Sequence, residues 1–183
     1  KAEPDPNKEK FQALSETLKA GVNVVTAPQL FPTPKDTAEY MAELLEVQPG
    51  DRVLEPSAGT GMLLGALGGR MFLEPCATPY KDRDQLYAVE INTQLATRLE
   101  TEFPLTKVIC GDFLEQNGNL GQFDRIIMNP PFVNGADIKH IQHARTFLKP
   151  GGKLVALCAN GPRQREQLEP LSDYWEDLPE GTF

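Results

Sequence analysis

Two histidines, one tryptophan and three cysteines are all this chain of 183 residues has of the side chains that most often bind metals or staple small folds. The cysteines, Cys76, Cys110 and Cys158, are odd in number, far apart and without CxxC spacing, which excludes a disulfide framework and a cysteine-based zinc site. No apolar run approaches the roughly 20 residues needed to span a bilayer, and no hydrophobic segment follows the charged start Lys1 to Lys10 as a secretory signal would require. A cytoplasmic location is therefore expected. Basic residues are also scarce: 18 Lys and Arg face 26 Asp and Glu, for a net charge of −8. After Arg165 the acids Glu166, Glu169, Asp173, Glu176, Asp177 and Glu180 follow with no Lys or Arg. Because affinity for nucleic acid comes largely from phosphate neutralisation, tight autonomous binding is disfavoured, and such a role needs a local basic patch or a separate recognition subunit.

What is present is the composition of an ordinary globular domain, 40% hydrophobic and 24% charged, with length for one substantial core. Phe11, Leu14 and Leu18 predict a short amphipathic helix ended by Gly21, followed by the proline-stiffened loop Pro28 to Pro34. Residues 1–35 thus read as an N-terminal helix and covering loop, and 36–183 as the domain proper. Ala38, Met41, Leu44 and Leu45 share one face of a helix from Asp36 to Val47. From there strands and helices alternate. Strands are expected at Arg52–Glu55, Leu86–Ile91, Lys107–Cys110, Asp124–Met128 and, after the turn Lys149-Pro150-Gly151-Gly152, at Lys153–Cys158. Helices are expected from Met62, over Thr93–Glu102, Ile138–Leu148 and Arg163–Leu168. This α/β alternation implies a mostly parallel twisted sheet with helices on both faces, whose ligands sit at the carboxyl ends of the strands. Residues 70–85 read as a surface insertion, and a weak strand at Tyr174-Trp175 leaves the C-terminal strand pair of such a sheet incomplete.

Four stretches fall at those carboxyl ends. Glu55-Pro56-Ser57-Ala58-Gly59-Thr60-Gly61 is a glycine turn between strand and helix. It is not GxGxxG, and its leading acid suits a cationic ligand or its water shell better than a diphosphate. Glu90 ends the second strand, where a carboxylate accepts from ribose hydroxyls as readily as it is simply solvated. Asp112-Phe113 reads equally as an acceptor and ring for adenine or as a helix N-cap and a core aromatic. Asn129-Pro130-Pro131-Phe132 offers an amide acceptor, a backbone carbonyl and a flat apolar face on a rigid corner, a set suited to holding a planar aromatic amine. A plain turn is its bland reading.

In order and spacing these motifs resemble those of S-adenosylmethionine-dependent methyltransferases. The Asn-Pro-Pro-Phe corner is similar to the signature of enzymes that methylate amino nitrogens, above all N6-adenine DNA methyltransferases. The resemblance spans about Leu30 to Cys158 and includes Phe31-Pro32-Thr33-Pro34 ahead of the glycine turn. It implies a Rossmann-like methyltransferase fold and S-adenosyl-L-methionine as cofactor, with S-adenosyl-L-homocysteine as product. Thr33, Glu55, Pro56, Ser57, Ala58, Gly59 and Gly61 would then meet the methionine part, Glu90 the ribose, Ile91 the adenine face, and Asp112 and Phe113 the adenine amine and ring. Asn129, Pro130, Pro131 and Phe132 would face the substrate.

On this reading the Asn129 oxygen and the Pro130 carbonyl accept both amine hydrogens, favouring a tetrahedral nitrogen with a localised lone pair, and orientation supplies the rest. A duplex base must flip out to reach the corner, where Phe132 stacks on it. DNA is the expected transient partner. RNA bases, a protein glutamine amide, and an inactive cofactor-binding scaffold subunit are the rivals. No metal is expected: His140 and His143 lie three apart on a helix without a supporting acid or cysteine pattern and read as surface residues. Phe183 matches only loosely the aromatic that lies on the far side of the target base in the family.

Overall fold

A computed structural model describes residues 31–71, 85–179, 181 and 182. The expected helix Phe11–Ala20, the start of the proline loop, most of the 70–85 insertion and Phe183 lie outside the described residues. In chain order the elements are α1 (Lys35–Leu45), β1 (Val53–Glu55), α2 (Met62–Met71), β2 (Leu86–Glu90), α3 (Thr93–Glu102), β3 (Thr106–Cys110), β4 (Phe123–Met128), α4 (Ala136–Arg145), β5 (Leu148–Ala156) and α5 (Pro162–Gln167). The strands form one five-stranded sheet in the order β3-β2-β1-β4-β5, parallel at every pairing. Its direction of growth reverses between β1 and β4, so the carboxyl ends of those two strands flank the crevice where ligands bind in sheets of this kind.

Every residue of β1 and β2 is buried, as expected of central parallel strands covered on both faces. Alternation along the strands divides the core. Val53, Ala88 and Ile127 pack under α1 and α2 with Met41, Leu45 and Leu64, while Leu54, Val89 and Ile126 pack under α4 with Ile141 and Phe147.

The differences from expectation have local causes. Helix α1 stops at Leu45 because Glu46 turns left-handed, with φ 53°, and its N–H returns to the Glu43 carbonyl. Helix α2 continues to Met71, so the insertion begins later than expected. Helix α4 ends at Arg145, capped by Thr146, and Leu148 already belongs to the sheet. The expected turn at 149–152 is an irregularity within β5. Phe123 pairs with Leu148 and Arg125 with Lys153, and at this shift in register Asp124 accepts from the Lys149 ammonium at 2.8 and 2.9 Å. Tyr174-Trp175 forms no strand. Its hydroxyl-bearing ring and that of Tyr40 both donate to Glu176, at 2.9 and 2.7 Å, which ties the segment to α1 instead.

One buried acid holds the segment after β5 in place. Asp137 is fully buried in the first turn of α4 and accepts from the Ala159 N–H at 2.9 Å and from the Gln164 amide at 2.9 and 3.2 Å. Asp137→Ala leaves the buried Gln164 amide and the half-buried Ala159 N–H without their acceptor, at about 1–3 kcal/mol for a buried unmet group. The expected result is a loss of about 3 kcal/mol in urea unfolding. A midpoint unchanged from wild type contradicts that role.

Candidate functional site

At the end of β1 the glycine turn folds back on the sheet. The Ala58 N–H donates to the Val89 carbonyl at 3.0 Å and the Gly61 N–H to the Ala58 carbonyl at 2.8 Å, with Gly59 and Gly61 at φ 53° and 79°. Glu90, at the end of β2, fixes this turn to the next one. Its two oxygens accept from the Gly59 N–H at 2.7 Å and from the Asn92 N–H at 2.8 Å. Those bonds leave the remaining lone pairs of a 7% exposed carboxylate for other donors.

Glu55 is more unusual. It is 1% exposed, and its Oε2 has no hydrogen-bond partner among the described residues. Burial pushes its carboxyl well above the usual range; the Leu64 backbone N–H pulls the other way, and the charge of Glu90 adds to the rise. An acid kept dry beside a cleft, with one oxygen unmet, fits a cationic group arriving from solvent.

After β3, Asp112 caps a short turn of 3-10 helix by accepting from the Leu114 N–H at 2.8 Å. Phe113 is 2% exposed, its ring against His143 at 4.9 Å, Phe147 at 5.6 Å and His140 at 5.9 Å. The cap and the core aromatic that the sequence allowed are thus both present, and both residues also border the cleft. The apolar surface offered outward there belongs to Ile91, 68% exposed, and Leu114, 37% exposed. Leu114 carried no sequence signal beyond its place after Asp112-Phe113.

At the end of β4 stands the Asn129 corner. The Asn129 side-chain Nδ2 donates to the Phe31 carbonyl at 3.1 Å and to the Thr33 hydroxyl at 3.0 Å, while its Oδ1 is buried without a partner among the described residues. Thr33 is itself buried. The Phe132 ring lies 6.4 Å from that of Phe31, tilted by 41°, and Phe31 is 54% exposed.

A cleft of about 480 Å³, within the range of small-molecule sites, joins these elements. Thr33, Glu55, Pro56, Ser57, Ala58, Gly59, Glu90, Ile91, Asp112, Phe113, Asn129, Pro130 and Pro131 all line it. Two expected site residues do not. Gly61 faces α3, where an added Cβ would stand 2.6 Å from the Phe103 ring and 2.8 Å from Leu99, so its glycine serves close packing. Phe132 precedes the 3-10 turn Val133–Gly135 at the corner's outer end.

The histidines, expected on the helix surface, are half-buried. His140 lines the cleft, with Nδ1 3.4 Å from the Ser57 hydroxyl, and burial lowers its pKa. His143 sits 3.1 Å from the Gln116 carbonyl. Helical spacing puts both on the side of α4 that carries Ala144, and Phe113 packs against the two imidazoles there. Among the described residues no three His, Cys, Asp or Glu side chains are grouped to hold a metal ion, and no helix is long and apolar enough to cross a membrane.

With this geometry in hand, the methyltransferase small domain family matches residues 22–177. The chain belongs to that family, which places it among the S-adenosylmethionine-dependent methyltransferases that its motifs resemble. It is similar to the Type II restriction enzyme and methyltransferase RM.BcgI of Heyndrickxia coagulans, 30% identical over 145 residues, 68% of this chain and 23% of that protein. Among solved structures it resembles TrmN from Thermus thermophilus at a TM-score of 0.58 and 21% identity, over 74% of this chain and 41% of that one. An RNA methyltransferase from Salinibacter ruber aligns at 0.53 and 18% identity, over 72% and 81%. The chain spans less than half the length of RM.BcgI and of TrmN. The Rossmann-like sheet expected from the sequence is the architecture these structures share with it.

Proposed function

We propose that this chain transfers a methyl group to an exocyclic amino nitrogen, with adenine N6 of DNA as the target. The observation that carries this reading is the Asn129 amide, whose N–H groups are both engaged while its oxygen, desolvated and unmet, remains as an acceptor at the cleft. An aromatic amine is a poor nucleophile while its lone pair is delocalised into the ring. Oδ1 of Asn129 and the carbonyl of Pro130 would draw its two hydrogens out of the ring plane and localise that pair. Bound S-adenosyl-L-methionine supplies a sulfonium methyl as the electrophile. Glu55 would meet the ammonium of its methionine part, Glu90 the ribose, and Ile91 and Leu114 the flat adenine.

The Asn-Pro-Pro-Phe sequence and the likeness to RM.BcgI support DNA as the substrate. The net charge of −8 favours recognition of the duplex by a partner subunit or further domain, with this chain receiving a base already flipped out. RNA is the second reading, supported by the fold-level likeness to the Salinibacter ruber RNA methyltransferase. A protein glutamine amide has the same nitrogen chemistry. The intact Asn129, with its side-chain oxygen unmet at the cleft, weighs against an inactive scaffold.

Transfer of tritiated methyl offered in parallel to DNA, RNA and protein separates these substrates. Label in DNA adenine is the expected result. Label confined to RNA or to glutamine moves the substrate class, and absence of S-adenosylmethionine binding by calorimetry removes the enzyme reading.

A further inference from the structure

We propose that Thr33 is a positioning residue for Asn129: with the Phe31 carbonyl it holds the amide turned so that Oδ1, and not Nδ2, is presented to the substrate amine. This rests on the amino-transfer reading above. The sequence resemblance assigns Thr33 to the cofactor. The geometry gives its hydroxyl a different partner, at 3.0 Å from Nδ2 of Asn129.

An asparagine amide has two nearly isosteric ends, and only one of them helps here. Oδ1 accepts an amine hydrogen; Nδ2 would oppose the amine with a donor. Rotating the amide by half a turn would bring Oδ1 against the Phe31 carbonyl, two acceptors about 3 Å apart, so that carbonyl forbids the wrong orientation. The carbonyl alone leaves the amide free to swing about one bond. The Thr33 hydroxyl engages the second N–H and removes that freedom. Both acceptors come from the three residues Phe31-Pro32-Thr33, whose middle proline stiffens the spacing between them. Thr33 is 5% exposed, so water does not readily replace its hydroxyl. The arrangement leaves Oδ1 as the unmet, buried acceptor. Preorganisation of this kind lowers the barrier without strengthening ground-state binding of either ligand.

The test compares Thr33→Val, which keeps shape and loses the hydroxyl, with Thr33→Ser, which restores it, in wild-type and Asn129→Ala backgrounds. For Thr33→Val the expected result is a kcat about tenfold lower, as for the loss of one hydrogen bond. Calorimetric Kd values for S-adenosylmethionine and S-adenosylhomocysteine stay within about twofold, since no cofactor contact is lost. Thr33→Ser should recover most of the rate, and in the Asn129→Ala background Thr33→Val should cost nothing further, because the two act as a unit. Unchanged kcat in Thr33→Val overturns the proposal, and so does a parallel loss of kcat and cofactor affinity, the mark of a direct cofactor contact. If Asn129→Ala itself retains full activity, the amino-transfer reading fails and this proposal with it. Activity lost in Asn129→Ala but kept in Thr33→Val removes the positioning role alone.

Discussion

Asn129→Ala is expected to lower kcat for methyl transfer by about 10²–10³, the usual cost of deleting one preorganised polar group at a reacting centre, while leaving cofactor affinity within a few fold. The reasoning starts from the cost of the native arrangement. A buried acceptor without a partner destabilises the folded chain by about 1–3 kcal/mol, and Oδ1 of Asn129 is such an atom. It is kept by two bonds from the same amide to Phe31 and Thr33. An amine hydrogen that meets Oδ1 relieves this cost, and the bond strengthens as the nitrogen becomes tetrahedral and its hydrogens more acidic. Removing the amide removes a contact that tightens on the way to the transition state, so the loss belongs in kcat rather than in KM. Single-turnover transfer with saturating cofactor, beside calorimetry on the same variant, measures both. A variant with wild-type kcat would overturn the amino-transfer reading, and a matching loss of cofactor affinity would mean that Asn129 mainly supports the segment carrying Thr33.

Much of this site was legible because methyltransferase chemistry is carried on short local motifs. A strand end followed by a glycine turn, an acid closing the next strand, and a corner of two prolines each state their place in the fold within a few residues. Once strands alternate with helices, the carboxyl edge assembles these places without further information. What stayed hidden depends on pairings across the chain. Neither the bond from Asn129 to Thr33 nor the grip of Asp124 on Lys149 has any local pattern, since each joins segments set side by side only by the sheet. The histidines misled for the opposite reason. Their spacing alone implies an exposed helical pair, yet Phe113, in the 3-10 turn after β3, packs against both imidazoles. Gly61 likewise reads as a ligand glycine from its motif, while its close neighbours are on α3. The irregularity in β5 looked like a turn because Pro150-Gly151-Gly152 is turn chemistry, and only pairing with β4 shows that the strand starts before it.

Glu55→Gln carries the second large effect, and its sign depends on pH. Without ligand, the Glu55 carboxyl has a folded-state pKa raised well above its ordinary value of 4.5, first by burial and then by Glu90. A raised acid holds its proton in the folded chain after the unfolded chain has released it. Its favourable contribution is therefore complete below the unfolded value and declines by about 1.4 kcal/mol per pH unit as pH rises toward the folded value, where the decline ends. Glutamine keeps the shape and never charges, so Glu55→Gln is expected to raise the melting temperature of the unliganded protein at pH 8 and to change it little near pH 4. Ligand binding runs the other way. A cationic group beside Glu55 favours the carboxylate, so at pH values below the raised pKa binding expels a proton and affinity improves as pH rises. The glutamine variant should lose that slope, and at pH 8 should bind S-adenosylhomocysteine about ten- to a hundredfold more weakly, as for a charge-assisted hydrogen bond reduced to a neutral one. Calorimetry in buffers of differing ionisation enthalpy counts the proton directly: wild type should release one that Glu55→Gln does not. A variant that binds as tightly as wild type at pH 8, or a wild type that releases no proton across the pH range, would show that the buried carboxyl stays neutral and acts only as a hydrogen-bond donor to the ligand.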